Sequence, residues 1–240
     1  MRIVWDEQTV RWFHNASAYT GYDKKLAEFL LPYLPCRDTL CDIGCGAGLI
    51  DLELAPYIGQ ITCVDISPQA IDSLEARIRQ HGLENISALC ASADTLEGQW
   101  DTVMALFFGE YRHLTDYLAL AKDRLILAVH EEARGNFGPA GRKADKCSNV
   151  KSVQAFLENQ GIRYQLVRTE LEYGQPFADR AEAETFVKAY STPMPQEELD
   201  AYLAKNLVRT GREDFPFYLP KQKKFGLFLI RREDNEKFLE

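Results

Sequence analysis

Asp42-Ile43-Gly44-Cys45-Gly46-Ala47-Gly48 places an acid two residues before a triple-glycine turn, and its flanks decide the fold. Thr39-Leu40-Cys41 with Ile43 reads as a short buried strand, and Leu49-Ile50-Asp51-Leu52-Glu53-Leu54-Ala55 has the apolar spacing of a helix. The glycines therefore occupy a strand-to-helix turn. Glycine suits it because the backbone enters a region that a Cβ penalises and because a ligand can approach the main chain closely.

The same alternation continues outward. Ile61 to Asp65 reads as a second strand, Ser67-Pro68 as a helix start with proline in the first turn, and Ala70 to Ile78 as the helix, which Gly82 ends. Ile86 to Cys90, Thr102 to Phe107 and Leu125 to Val129 supply three more strands, and Tyr164 to Leu171, which alternates, a sixth. Val153 to Gln160 is a helix before it, ended by Gly161, and Phe225 to Ile230 is a last strand. Strands alternating with helices imply a parallel sheet covered on both faces. Before Cys36 the chain reads as a helical cap, with Leu26, Phe29 and Leu30 at helical spacing and Pro32 and Pro35 closing it. Gly135 to Asn149 lacks apolar periodicity and reads as a loop at the carboxyl end of the fifth strand. Phe177 to Tyr190 and Glu197 to Val208 read as two helices separated by Pro193 and Pro195. The expected organisation is a cap over residues 1–36 and an α/β domain over 37–240, with a helical insertion at 174–220.

The chain has 240 residues, 46% hydrophobic and 27% charged, with a formal net charge of −8. That composition supports a sizeable core, and the acidic balance disfavours nucleic acid as a partner. The first residues lack the basic flank and apolar run of a secretory signal, and no apolar stretch reaches the length of a membrane span, so a cytoplasmic location is expected. The six cysteines form no Cys-x-x-Cys pair and read as buried thiols, with no metal site expected. Oligomeric state has no signal in the sequence.

Chemistry enters with two further acids. Asp65 ends the second strand about 20 residues beyond the glycines, where a carboxylate accepts hydrogen bonds from both hydroxyls of a ribose. Asp94, in Ala91-Ser92-Ala93-Asp94 after the third strand, is placed for an adenine amino group at the same sheet edge. This arrangement resembles the class I S-adenosylmethionine-dependent methyltransferases, whose first motif, acidic-x-Gly-x-Gly-x-Gly, is matched by Asp42, Gly44, Gly46 and Gly48. The resemblance covers about Cys36 to His130. It implies a seven-stranded, mostly parallel sheet whose last strand, Phe225 to Ile230, is antiparallel and inserted between the fifth and sixth. It implies S-adenosyl-L-methionine as methyl donor, with Asp42 holding the methionine ammonium and the backbone of Gly44, Cys45, Gly46 and Gly48 beneath the methionine part. Asp65 would hold the ribose and Ala93 and Asp94 the adenine; Ile66 would pack on the adenine face and Leu106 or Phe107 would line the methyl side. A nicotinamide dehydrogenase is the competing reading. Against it stand the acid before the first glycine, the cap before the first strand, and Leu49 where a dinucleotide turn takes glycine or alanine.

Methyl transfer from a sulfonium disperses positive charge, so the protein supplies mainly positioning and a dry site. Glu110, His113 and Tyr19 are the candidate catalytic or acceptor-orienting groups, with His14, His130 and Glu131 as further candidates. The fourth strand does not end in Asn-Pro-Pro-Tyr, which makes planar amide and amine acceptors less expected. The expectation is a methyltransferase acting on a small-molecule acceptor; the alternative from the binding class is the same fold holding the nucleoside without transfer. Aromatic residues of the cap and insertion read first as packing faces and second as walls of an acceptor pocket.

Overall fold

A computed structural model describes residues 6–36, 38–108, 111–132, 137, 148–191 and 193–238. Its centre is a seven-stranded sheet in the order β3-β2-β1-β4-β5-β10-β6. The strands are β1 (Thr39–Ile43), β2 (Gln60–Asp65), β3 (Ile86–Cys90), β4 (Trp100–Leu106), β5 (Ala121–His130), β6 (Gln165–Glu172) and β10 (Gln222–Arg231). β1 to β5 pair in parallel, and β10 runs antiparallel to both β5 and β6, with Leu227 opposite Ala128 on one side and Val167 on the other. The expected insertion of the last strand between the fifth and sixth is therefore present.

Side-chain alternation sorts the sheet into two faces. Leu40, Met104, Ile126, Ala128, Phe225 and Leu227 point to one side, where they pack with α2 (Tyr22–Leu30), α3 (Leu49–Leu54) and α4 (Pro68–His81). Their sequence neighbours Cys41, Ile43, Val103, Leu125, Leu127 and Phe228 point to the other, under α5 (Leu114–Leu120) and α6 (Val150–Gln160). Gly226 lets α6 sit close, since a Cβ there would lie 2.6 Å from Val150 Cγ2. The helix ends follow local chemistry. Asp6 accepts from the Thr9 N–H at the start of α1 (Glu7–Thr20), Ser67 caps α4, and Asn149 and Ser152 form a reciprocal capping box on α6. Gly21, at φ +63°, ends α1 and turns the chain directly into α2.

The insertion differs from its expected form. Besides α7 (Arg180–Tyr190) and α8 (Gln196–Asn206) it contains β7 (Gln175–Phe177), β8 (Val208–Arg209) and β9 (Phe217–Leu219), which form a second sheet in the order β7-β9-β8. Phe177, expected in a helix, is a fully buried strand residue, because Asp179 accepts from the Glu182 N–H and sets the helix start after it. Val208, expected to close a helix, lies in β8 opposite Tyr218. Strands of two or three residues carry too few side chains to show a period of two. The loop expected over Gly135 to Asn149 lies mostly outside the described residues, as does Cys147; Asn149 bridges His130 at the end of β5. Among the described residues no helix is long and apolar enough to cross a membrane.

A third apolar cluster ties this insertion to α1: Trp12 packs edge-on to Phe186 at 5.0 Å, and its indole N–H donates to Glu182 at 3.0 Å. Gln175, buried, donates to the Trp12 carbonyl. The expected packing role of the aromatics holds for Trp12, Phe177, Phe186 and Tyr190. Trp12→Ala is expected to cost about 3–5 kcal/mol, and hydrogen exchange should localise the loss to α1, α7 and β7 while amides of β1, β4 and β5 stay protected.

Candidate functional site

The glycine turn is held from the second strand. The Gly44 and Cys45 N–H groups both donate to the Val64 carbonyl, at 2.7 and 3.1 Å, and the Gly46 N–H donates to Asp65 Oδ2 at 3.0 Å. Gly44, Gly46 and Gly48 have φ of +78°, +57° and +63°, so the positive backbone angles expected of the turn are present. Gly48 has a second constraint: a Cβ would lie 2.5 Å from Leu74 Cδ1, where α4 packs onto the turn. Over Gly44 lies the Phe108 ring, which would overlap any added Cβ.

Beside the turn, at the carboxyl ends of β1, β2 and β3, opens a cleft of about 250 Å³. It brings together Gly44, Asp65, Ile66, Ala93 and Asp94 with Phe108, His113 and Tyr117. Asp65 is fixed on both oxygens, with Oδ1 accepting from the Ser67 N–H at 2.8 Å and Oδ2 from Gly46. A carboxylate has about four lone-pair sites, so each oxygen retains acceptor capacity toward the cleft. Ile66 is 48% exposed and Phe108 38%, unusual for large apolar side chains, and both face the cleft. Asp94 is exposed and accepts from the Ser92 hydroxyl at 3.4 Å. Burial, reinforced by Asp94 and Asp116, pushes the Tyr117 phenol up to about 12, so it stays protonated and available as a donor.

Beneath the turn the chain buries acids. Asp42 shares the face of Leu40, two residues earlier, and so points toward α3; it is 2% exposed, and Asp51 in the first turn of α3 is wholly buried. Burial, then the adjacent Asp51, holds Asp42 well above the usual carboxylate range, and burial pushes Asp51 up to about 6. Asp42 Oδ1 and both Asp51 oxygens meet no protein donor group.

Farther along the same edge, Phe107 leaves β4 at φ +57°, with its N–H on the Ala128 carbonyl. Its ring packs on His130 and Phe225, and Lys223 Nζ stands 3.4 Å from its centroid, with Tyr173 at 4.7 Å and Tyr22 at 5.0 Å. Three aromatic rings thus enclose one lysine between the cap, β4 and β10.

Residues 40–124 match the family model described as methyltransferase domain. That match covers the turn, Asp65 and Asp94, on a sheet with the inserted antiparallel strand. Residues 40–124 therefore form a methyltransferase domain, set in the seven-stranded sheet described above. A probable cobalt-precorrin-6B C(15)-methyltransferase (decarboxylating) of Methanothermobacter thermautotrophicus is 32% identical over 91 residues, 37% of this chain and 47% of that protein. The ribosomal protein L11 methyltransferase of Campylobacter jejuni is 26% identical over 92 residues, 38% of this chain and 31% of that protein. The chain thus spans less than half the length of these curated relatives. A crystal structure of a SAM dependent methyltransferase from Aquifex aeolicus superposes with a TM-score of 0.55 at 16% identity, covering 95% of this chain and 100% of that one, a likeness of fold.

Within this methyltransferase domain, Asp42, Cys45, Gly46, Gly48 and Leu106 support the cleft without lining it. Glu110 lies outside the described residues. His113 lines the cleft beside Asp94, with Nδ1 3.4 Å from Asp116, because it sits at the start of α5. Tyr19 stacks on Tyr218 at 4.7 Å, under the Arg212 guanidinium, and is absent from the lining; the short strand β9, unseen in the sequence, draws it there. His14 packs on Ser73 of α4, and burial holds it down at about 4, so it is neutral at pH 7. Phe108, Tyr117 and Asp51 were missed by sequence reasoning: each is a common residue type whose role depends on what folds against it.

The acid pair has a pH signature. Unfolded, Asp51 ionises near its ordinary 3.8; folded, it resists ionisation to about 6. Below the lower value both states are protonated and no penalty exists; stability is then lost as pH rises through the upper one. Relative to Asp51→Asn, the native protein should lose roughly 3 kcal/mol between about pH 4 and 7, at about 1.4 kcal/mol per pK unit. Urea denaturation of both proteins across that range checks it.

Proposed function

We propose that this chain is a methyltransferase that takes its methyl group from S-adenosyl-L-methionine and passes it to a small-molecule acceptor. The observation that carries the reading is the cleft at the sheet's carboxyl edge, where Gly44, Asp65, Ile66 and Asp94 converge from three successive strand ends. The remaining acceptor sites of Asp65 suit the paired hydroxyls of a ribose, in a carboxylate that two backbone N–H groups already orient. Asp94 and the protonated Tyr117, with Ile66 and Ala93 beside them, suit an adenine, polar at its edge and apolar on its face.

The methionine half is assigned to the turn. The backbone of Gly44, Cys45, Gly46 and Gly48 would lie beneath it, Leu106 would wall it, and the buried, unsatisfied Asp42 oxygen fits a group that brings a positive amine. The Phe108 ring now fills the space over Gly44, which is why the cleft is smaller than the ~300–1,000 Å³ of most ligand sites. In this reading that ring turns aside when the methionine part is bound. The donor supplies a methyl on a sulfonium; the chain supplies orientation and exclusion of water.

A small acceptor is favoured by the net negative charge of the chain, which disfavours nucleic acid, and by the aromatic enclosure of Phe107, Tyr22 and Tyr173 around Lys223 at the methyl side. Glu110, His113 and Tyr19 remain proposals for orienting groups, with His113 the one that reaches the cleft. Binding of the nucleoside without transfer is the second reading, favoured by the distance of Tyr19 from that cleft. Incubation with methyl-labelled donor and a broad metabolite extract separates the two: a labelled small molecule supports transfer, and donor binding with no label on any acceptor overturns it.

Asp65→Ala should weaken S-adenosylhomocysteine by about 1.5 to 3 kcal/mol, roughly tenfold to a hundredfold or more in Kd by calorimetry. The substitution also frees the Gly46 and Ser67 N–H groups, so circular dichroism must show the fold intact. Unchanged affinity in a folded variant would remove the ribose role.

A further inference from the structure

We infer that Asp42 and Asp51 share one proton in the ligand-free protein and that the donor's cationic amine takes that proton's place, so that the donor binds with release of a proton to solvent. The inference rests on the donor reading above and adds Asp51, a residue outside the glycine motif, to the groups that position the amine.

The geometry begins with side-chain parity. Asp42 lies on the same face of β1 as Leu40, the face covered by α2 and α3, and the buried Asp51, in the first turn of α3, acts on it. Both side chains are sealed from water, at 2% and 0% exposure. Asp42 Oδ1 and both oxygens of Asp51 find no donor group on the protein. A buried carboxylate in that state is costly unless paired. Neither carboxyl can satisfy the other without a proton between them, because an ionised carboxylate only accepts.

The surroundings add like charge, eased at Asp51 by Cys63. Asp65 of β2 acts on Asp42, and Asp23 of α2 acts on Asp51, both as like charges. Cys63 of β2 reaches Asp51, and Cys45 of the turn stands against Cys63, so thiols complete the lining. Lys223 acts on Asp23, and is not among the groups that act on Asp42 or Asp51 most strongly. The pair therefore keeps a proton where an isolated carboxylate would have lost it. An incoming ammonium changes the balance by supplying the positive charge itself. It keeps its own protons, the shared proton leaves for bulk water, and the two carboxylates face the cation as a dianion.

The test is calorimetry of the intact chain with S-adenosylhomocysteine in buffers of different ionisation enthalpy between about pH 5 and 8. Above about pH 6, where Asp51 has lost its own proton, binding should release close to one proton; below it the release should rise and affinity should fall more steeply. 5′-Methylthioadenosine, which keeps the nucleoside and lacks the amine, should bind with no proton release. A carboxylic C=O infrared band in the ligand-free protein at neutral pH should shift or weaken in Asp51→Asn, a readout that needs no ligand. Binding of S-adenosylhomocysteine with a buffer-independent enthalpy throughout overturns the inference and leaves the donor reading standing. Failure of both nucleosides to bind at any pH overturns the two together.

Discussion

The Asp65 carboxylate spans two pieces of backbone, accepting from Gly46 in the turn after β1 and from Ser67 at the start of α4. Around that clamp the rest is arranged. The Val64 carbonyl, one residue earlier, holds Gly44 and Cys45, so three successive turn residues hang from the end of one strand. Because the turn is fixed to β2, α3 leaves in a set direction and α4 can press Leu74 against Gly48. The cleft is then what remains between the clamp, the end of β3 and the segment after β4. A site formed this way is rigid on one side, where strands define it, and adjustable on the other, where Phe108 lies.

Much of this was legible. β1 is a short buried run and β5 a longer one, β6 alternates because it is an edge with one solvated face, and the stops at Gly82 and Gly161 stand where the helices end. The insertion was legible only as helices, since β7, β8 and β9 are defined by pairing with one another. The same limit applied to the site. Gly44, Asp65 and Asp94 announce themselves by position relative to strand ends, so the cleft that unites them was readable in outline. Asp51 did not, because an acid in the first turn of a helix reads as a favourable partner of the helix dipole. Its burial depends on α2 lying over α3, a fact of tertiary packing.

The acids under the turn and the rings at its far end present opposite physics within one sheet edge. Asp42 and Asp51 are acids without a counterion, sealed from water and holding a proton in place of one. Lys223 is a cation whose shell is built from aromatic faces and extended by Asp23. Between them the backbone departs from regular geometry at Phe107. Such departures persist where surrounding contacts over-determine them, here the Ala128 hydrogen bond and the packing on Phe225.

The place of β10 in the sheet also governs how the molecule is made. Leu125 pairs with Ile230, so the fifth strand waits through roughly a hundred residues of synthesis for its neighbour, and β6 has no partner in the sheet until then. During translation the ribosome therefore exposes five of the seven strands, ending in the apolar edge of β5, an open template for pairing with another chain. Closing it brings together segments far apart along the polypeptide, a contact pattern that slows folding. β10 thus acts as a lock on a sheet whose neighbouring strands are made long before it.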